Sequence, residues 1–310
     1  MKTIINLFKA FKLQIIGVLR LSGIIIFLYQ LNSSILWTFQ GRIMCSLMMG
    51  LYICYLNWQA TKNLATSMQY TPSGECKELF DEIIRLCGMD PSTICLRYAY
   101  TDEAVAMAIF NTVVIDPSVW HGIEQDAAAI RVIDIVNTHI TPTMISEKQR
   151  RLFKIKEALS LPAQRFIIKH ELGHIYHNYT NKKLFIIGII GVGVTYLGLI
   201  TTKTLLGLFG AGAVFFGILV AGIADVILSY GSNVFFKMNE EKKADLFAVQ
   251  RSSSEDIEAA ILFFEQVQEI RDANPDPDNV FFKIPIIILS GHLDGKIRAA
   301  YLRSCKLRYV

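Results

Sequence analysis

Apolar positions along this chain gather into four long blocks, at 13–31, 43–58, 184–202 and 204–224, separated by stretches of ordinary mixed polarity. A helix needs about 20 apolar residues to cross hydrocarbon, so the blocks are expected to form two transmembrane hairpins. The second pair is rich in glycine, with Gly188, Gly191, Gly193 and Gly198 in one arm and Gly207, Gly210, Gly212, Gly217 and Gly222 in the other. Small residues of this kind let two membrane helices approach closely. The turn of that hairpin is expected near Lys203. Arg20 interrupts the first block, and the second reaches spanning length only if it starts near Ile35 and accommodates Arg42. Arginine near a membrane boundary can extend its charge to the interface. No small-x-small cleavage site follows the first block, so an uncleaved hairpin is expected there rather than a signal peptide.

Composition agrees with this pattern. Residues are 52% hydrophobic and 19% charged, with a mean hydropathy of +0.38, against about 25% charged in soluble domains. A net charge of +4, with no basic stripe interleaved with aromatics, argues against nucleic acid as a partner. Lys and Arg concentrate in 60–183 and 230–310 and are sparse in the short turns. Positive residues stay inside, so the N-terminus and both of these regions are expected to face the cytosol. The six cysteines form no C-x-x-C pair and read as free thiols in a reducing compartment. The expected division is a hairpin at 1–60, a cytosolic part at 61–183, a second hairpin at 184–229 and a second cytosolic part at 230–310. No role is assigned to 121–157.

Candidate chemistry lies in "RFIIKHELGHIYHNYT", residues 165–180. Ser160 can cap a helix here, Pro162 suits its first turn, and Phe166, Ile167, Leu172 and Ile175 give it an apolar face. His170 and His174, at i and i+4, share one side, so two ring nitrogens can meet one metal ion. Glu171 is placed to act as general base on a zinc-bound water, whose pKa falls to about 7. His177 is a poor third ligand, because seven residues of helix carry it about 10 Å along the axis from His170. A better one lies beyond the apolar hairpin, in "NEEKKADLFAVQR". There Glu241 and Asp245 share a helical face, with Glu240 as the lesser alternative. A carboxylate would complete a His2Glu site with one open position. An even number of spans separates the two segments, so both emerge on the same side of the membrane.

"HELGH" (170–174), a membrane hairpin and "EKKAD" (241–245) together resemble the membrane gluzincin family of bacterial HtpX heat-shock proteases and CAAX prenyl endopeptidases. The span count and length are closer to the HtpX group. "GHLDGKIRAAYL" (291–302) is similar to the family's late element, with Leu293 and Asp294 where the family has prolines. Before Glu241, Lys237 and Met238 stand where the family has Ser-Arg. The resemblance implies one Zn2+ per chain held by His170, His174 and Glu241, with Glu171 as base. It also implies that Asp245 orients a ligand histidine, that Arg298 pairs with Asp245, and that His292 faces the substrate oxyanion. The fold implied is a mainly α membrane protein: about four transmembrane helices plus a cytosolic α+β zincin-type domain with a small β-sheet beside the HExxH helix.

"AVAMAIFNTVVID" (104–116) reads as two β runs joined at Asn111, and the resemblance suggests an edge strand that pairs with substrate. Ile257, Ile261, Phe264, Val267 and Ile270 form a helical core stripe. The segment 280–289 contains Pro285 and is too short to span. The leading expectation is a zinc endopeptidase of the bacterial inner membrane. It would cut polypeptides, misfolded membrane proteins among them, at the cytosolic face. A CAAX-type protease acting on prenylated proteins and a non-catalytic membrane scaffold retaining a metal site stand as alternatives.

Overall fold

The computed structural model describes residues 38–67, 70–99, 105–121, 126–139, 154–210, 212–273 and 295–309. The first apolar block, the 280–289 segment, parts of 121–157, and His292 with Leu293 and Asp294 lie outside them. Along the chain run α1 (Phe39–Ser67), α2 (Gly74–Leu86), a 3-10 turn (Pro91–Thr93), β1 (Cys95–Tyr98), β2 (Ala106–Ile109), β3 (Thr112–Ile115) and α3 (Ala127–His139). They are followed by α4 (Leu161–Tyr176), α5 (Tyr179–Phe209), α6 (Gly212–Val249), α7 (Ser254–Ala273) and α8 (Gly295–Tyr309). This mainly helical chain makes two compact units. One holds the residues up to Gln59 with Lys183–Asn233; the other holds Ala60–Lys182 with Val234–Val310.

Two helices contributing to the first unit, over Phe39–Asn63 and Tyr179–Leu206, are long and apolar enough to cross a membrane, and Gly212–Asp225 is a shorter apolar stretch. The chain folds back at Gly210 and not at Lys203, because α5 continues through Lys203 to Phe209 and α6 starts at Gly212. Lysine loses little rotamer freedom in a helix, so one charge does not end it. Gly210 takes φ +53°, which costs residues with a Cβ about 1–2 kcal/mol. Backbones touch within the unit. A Cβ at Gly217 would stand 2.7 Å from the Gly198 carbonyl oxygen, and one at Gly50 would stand 2.7 Å from that of Gly188. Met48, Leu51, Phe185, Ile189, Phe215 and Leu219 are exposed, an outward apolar face opposite to that of a water-soluble bundle.

The second unit buries Phe80, Ile83 and Ile84 of α2, Phe166 and Leu172 of α4, Ile257 and Ile261 of α7, and Leu302 of α8. The stripe expected on α7 is core: Phe264 is buried too, and Val267 and Ile270 pack at its margin. Ser160 caps α4 by accepting from Ala163 N–H at 3.4 Å, with proline in the first turn. The sheet is small and mixed, in the order β1-β3-β2. β1 runs parallel to β3 (Leu96 opposite Val113), and β2 runs antiparallel to it (Ala108 opposite Val113). β2 is an edge among the described residues, and it packs against α4. Phe110, next to Asn111 in the β2–β3 turn, takes φ +53°, and its N–H donates to Thr180 Oγ1 at 3.0 Å.

Candidate metal centre

The centre is built where α4 crosses the C-terminal part of α6. Gly173 sits at the crossing, where a Cβ would stand 2.9 Å from Ala244 Cα and 3.1 Å from its carbonyl oxygen. Two small residues therefore let the helix backbones touch. His170 and His174 lie one turn apart beside Gly173, and Glu241 and Asp245 lie beside Ala244, so the close crossing brings four functional groups together. All four are buried.

His170 Nε2 and His174 Nε2 are 3.1 Å apart, and Glu241 sets one oxygen 3.3 Å from the first and the other 3.5 Å from the second. Two ligand atoms on one tetrahedral ion, with bonds of about 2.0–2.1 Å, lie about 3.3 Å apart. The three separations bracket that value. His170, His174 and Glu241 thus form a buried group that could hold a metal ion.

Asp245 lies behind this group. Its Oδ1 lies 2.8 Å from His170 Nδ1, and Arg298 donates to the same carboxylate from Nε (3.0 and 3.1 Å) and Nη2 (2.6 Å). Arg298 Nη2 also lies 2.8 Å from His170 Nδ1. His170 thus turns Nδ1 toward Asp245 and Arg298, and Nε2 toward His174 and Glu241, the side on which a metal would bind. The guanidinium is stacked on Phe264, 4.0 Å from the ring centre.

Electrostatics show what the centre favours. Burial and Arg298 push the His170 pKa down, but Asp245 and Glu241 outweigh them and hold it up at about 9. Burial raises the pKa of Glu241, while hydrogen bonds from His170 and His174 hold it well below the usual carboxylate range. Asp245 is likewise held down against burial by Arg298 and His170. The two carboxylates thus favour positive charge beside them, which Arg298 and a proton on His170 supply and a bound cation would also supply.

Glu171 is buried beside the ligands and makes no hydrogen bond or ion pair among the described residues. Its charge helps keep the Arg298 guanidinium protonated, after the larger effects of Asp245 and Glu241 overcome burial. Glu240 is not in the cluster; it points to Lys243 (2.6 Å) and Lys182 (3.8 Å). His177 also stays outside, half-buried at the α4 C-cap. Two features were not anticipated from the residue pattern. Buried Asp256 accepts from Arg165 Nε (2.9 Å) and Lys169 Nζ (2.8 Å), tying α4 to α7. Tyr179 packs on His174, with ring centres 4.9 Å apart. Its place depends on Asn178, whose φ of +56° breaks α4 from α5, and an asparagine tolerant of that conformation was the only signal of it.

Comparison of the chain with protein-family models, with curated proteins and with solved structures returned no match in any of the three.

Proposed function

We propose that this protein is a membrane-embedded zinc endopeptidase, similar to the HtpX group, hydrolysing peptide bonds at the cytosolic face of a bacterial inner membrane. Its substrates are polypeptides, with misfolded membrane proteins the class best suited to that position. The observation that carries the reading is the convergence of His170 Nε2, His174 Nε2 and a Glu241 oxygen with Glu171 next in the chain.

Zinc held by these three would acidify a water at the fourth position and polarise the scissile carbonyl. Glu171 takes the proton of the attacking water and passes it to the departing amine. A purely structural site has no use for a carboxylate there. Asp245 keeps the His170 proton on Nδ1, and Arg298 keeps Asp245 ionised. β2, an edge strand among the described residues that packs on the helix of His170 and His174, offers backbone groups to an extended substrate with little regard for side chains. Two helices of spanning length and an outward apolar face support the membrane setting, and the distribution of Lys and Arg supports the cytosolic side.

The detergent-purified full chain is expected to contain one zinc and to cleave an unfolded polypeptide. Glu171→Gln keeps the zinc and the fold and loses cleavage. Equal cleavage by Glu171→Gln, or in excess chelator, sinks the mechanism. Preference for a prenylated peptide over an unfolded chain moves the assignment to the CAAX type.

A further inference from the structure

His170 and His174 are held in different ways. His170 has a carboxylate on its second ring nitrogen. His174 Nδ1 is buried and has no hydrogen-bond partner among the described residues. A ligand histidine is ordinarily oriented through that second nitrogen, and loss of such support weakens metal binding about 10–100-fold. Something else must orient the His174 ring.

Tyr179 is the side chain in position to do so. Its ring meets that of His174 at 4.9 Å with a 48° tilt, and Phe236 stacks on Tyr179 at 5.5 Å and 12°. All three residues belong to the same compact unit. The segment carrying Tyr179 is itself fixed: Asn181 Nδ2 donates to Asn178 Oδ1, and Thr180 Oγ1 accepts from Phe110 N–H. The turn that ends α4 therefore returns an aromatic ring to the last ligand of the same helix.

We infer that Tyr179, backed by Phe236, is a positioning residue for His174: the packed ring fixes the orientation of this ligand where His170 uses a carboxylate. The inference rests on the metal-site reading but not on the protease reading. It assigns the work to the ring and not to the phenolic hydroxyl.

The test uses the full chain in detergent, with zinc affinity measured by chelator competition and the ligand field read from the visible absorption of the Co2+-loaded protein. Tyr179→Phe is expected to keep both at wild-type values. Tyr179→Leu should weaken zinc binding about 10–100-fold and alter the Co2+ bands, with helical circular dichroism unchanged. Phe236→Leu should shift both in the same direction by less. Wild-type affinity and spectrum in Tyr179→Leu overturn the inference. So does an equal loss in Tyr179→Phe, which would hand the role to the hydroxyl. If Tyr179→Leu does not fold, Phe236→Leu decides, and unchanged zinc binding there is the overturning result. Failure of the metal reading looks different, since the wild-type chain would then bind no zinc.

Discussion

Gly173 of α4 and Ala244 of α6 meet backbone to backbone, with no room for a Cβ at position 173. This contact sets how closely the two histidines can approach Glu241. Gly173→Ala should gain up to about 1 kcal/mol of helix propensity but lose about 1–3 kcal/mol to overpacking. It should also displace Glu241 from its partners. Reduced zinc stoichiometry together with a lower unfolding midpoint is the expected outcome; a more stable protein with full zinc would show that the crossing has slack.

Asp245 contacts both Arg298 and His170, and the effects of the two contacts should separate by mutation. Asp245→Asn removes the nearest counter-charge of buried Arg298 and leaves Glu241 at 3.9 Å, a loss of up to about 3–5 kcal/mol, and should weaken metal binding about 10–100-fold. Replacing the pair, as Asp245→Leu with Arg298→Met, should recover most of the stability, because apolar substitutes for a buried ion pair are often neutral. The metal affinity should stay low. Denaturant titration and chelator competition on the same samples check both halves.

Treated with chelator, the protein should show a particular pH profile. His170 has its folded pKa raised from 6.5 to about 9. Its contribution, about 3 kcal/mol, is full below pH 6.5 and disappears as pH rises through 9. Glu241 and Asp245 are held below 4.5 and 3.8, so their contributions are present above those values and disappear in acid. The chelated protein should thus be most stable between about pH 5 and 6.5. Zinc should reverse the alkaline loss, because the ion replaces the proton. Unfolding midpoints across pH 4–10, with and without zinc, are the measurement, and a chelated protein equally stable at pH 6 and 9.5 would contradict it.

Leu51 faces outward near the middle of Phe39–Asn63. In a membrane, Leu51→Arg should disfavour insertion by about 2.5–3.5 kcal/mol and shift protein from the carbonate-resistant fraction to the extractable one. On a water-exposed surface the same change would be harmless. Unchanged fractionation and yield would count against the membrane setting.

Features written in local spacing were legible before the fold. The Ser160 cap, the i, i+4 histidines, the shared face of Glu241 and Asp245 and the α7 stripe each depend on a few neighbouring residues and a fixed helical period. Features set by tertiary contact were not. A lysine in an apolar run reads as a turn, yet α5 passes through Lys203 because the left-handed conformation at Gly210 decides the reversal. Gly173 reads as part of a motif, but its reason is Ala244, which lies beyond the whole of α5 and most of α6 in sequence. Tyr179 carried no signal of its own beyond the asparagine before it, since its place depends on one backbone angle at Asn178.

The interrupted make-up of the second unit, Ala60–Lys182 completed by Val234–Val310, also imposes an order of events during synthesis. At about 5–20 residues per second, the two histidines leave the ribosome several seconds before Glu241, and Arg298 follows later still. Throughout that interval the nascent chain carries an incomplete ligand set. The group of His170, His174 and Glu241 can close only after the intervening apolar helices have been made.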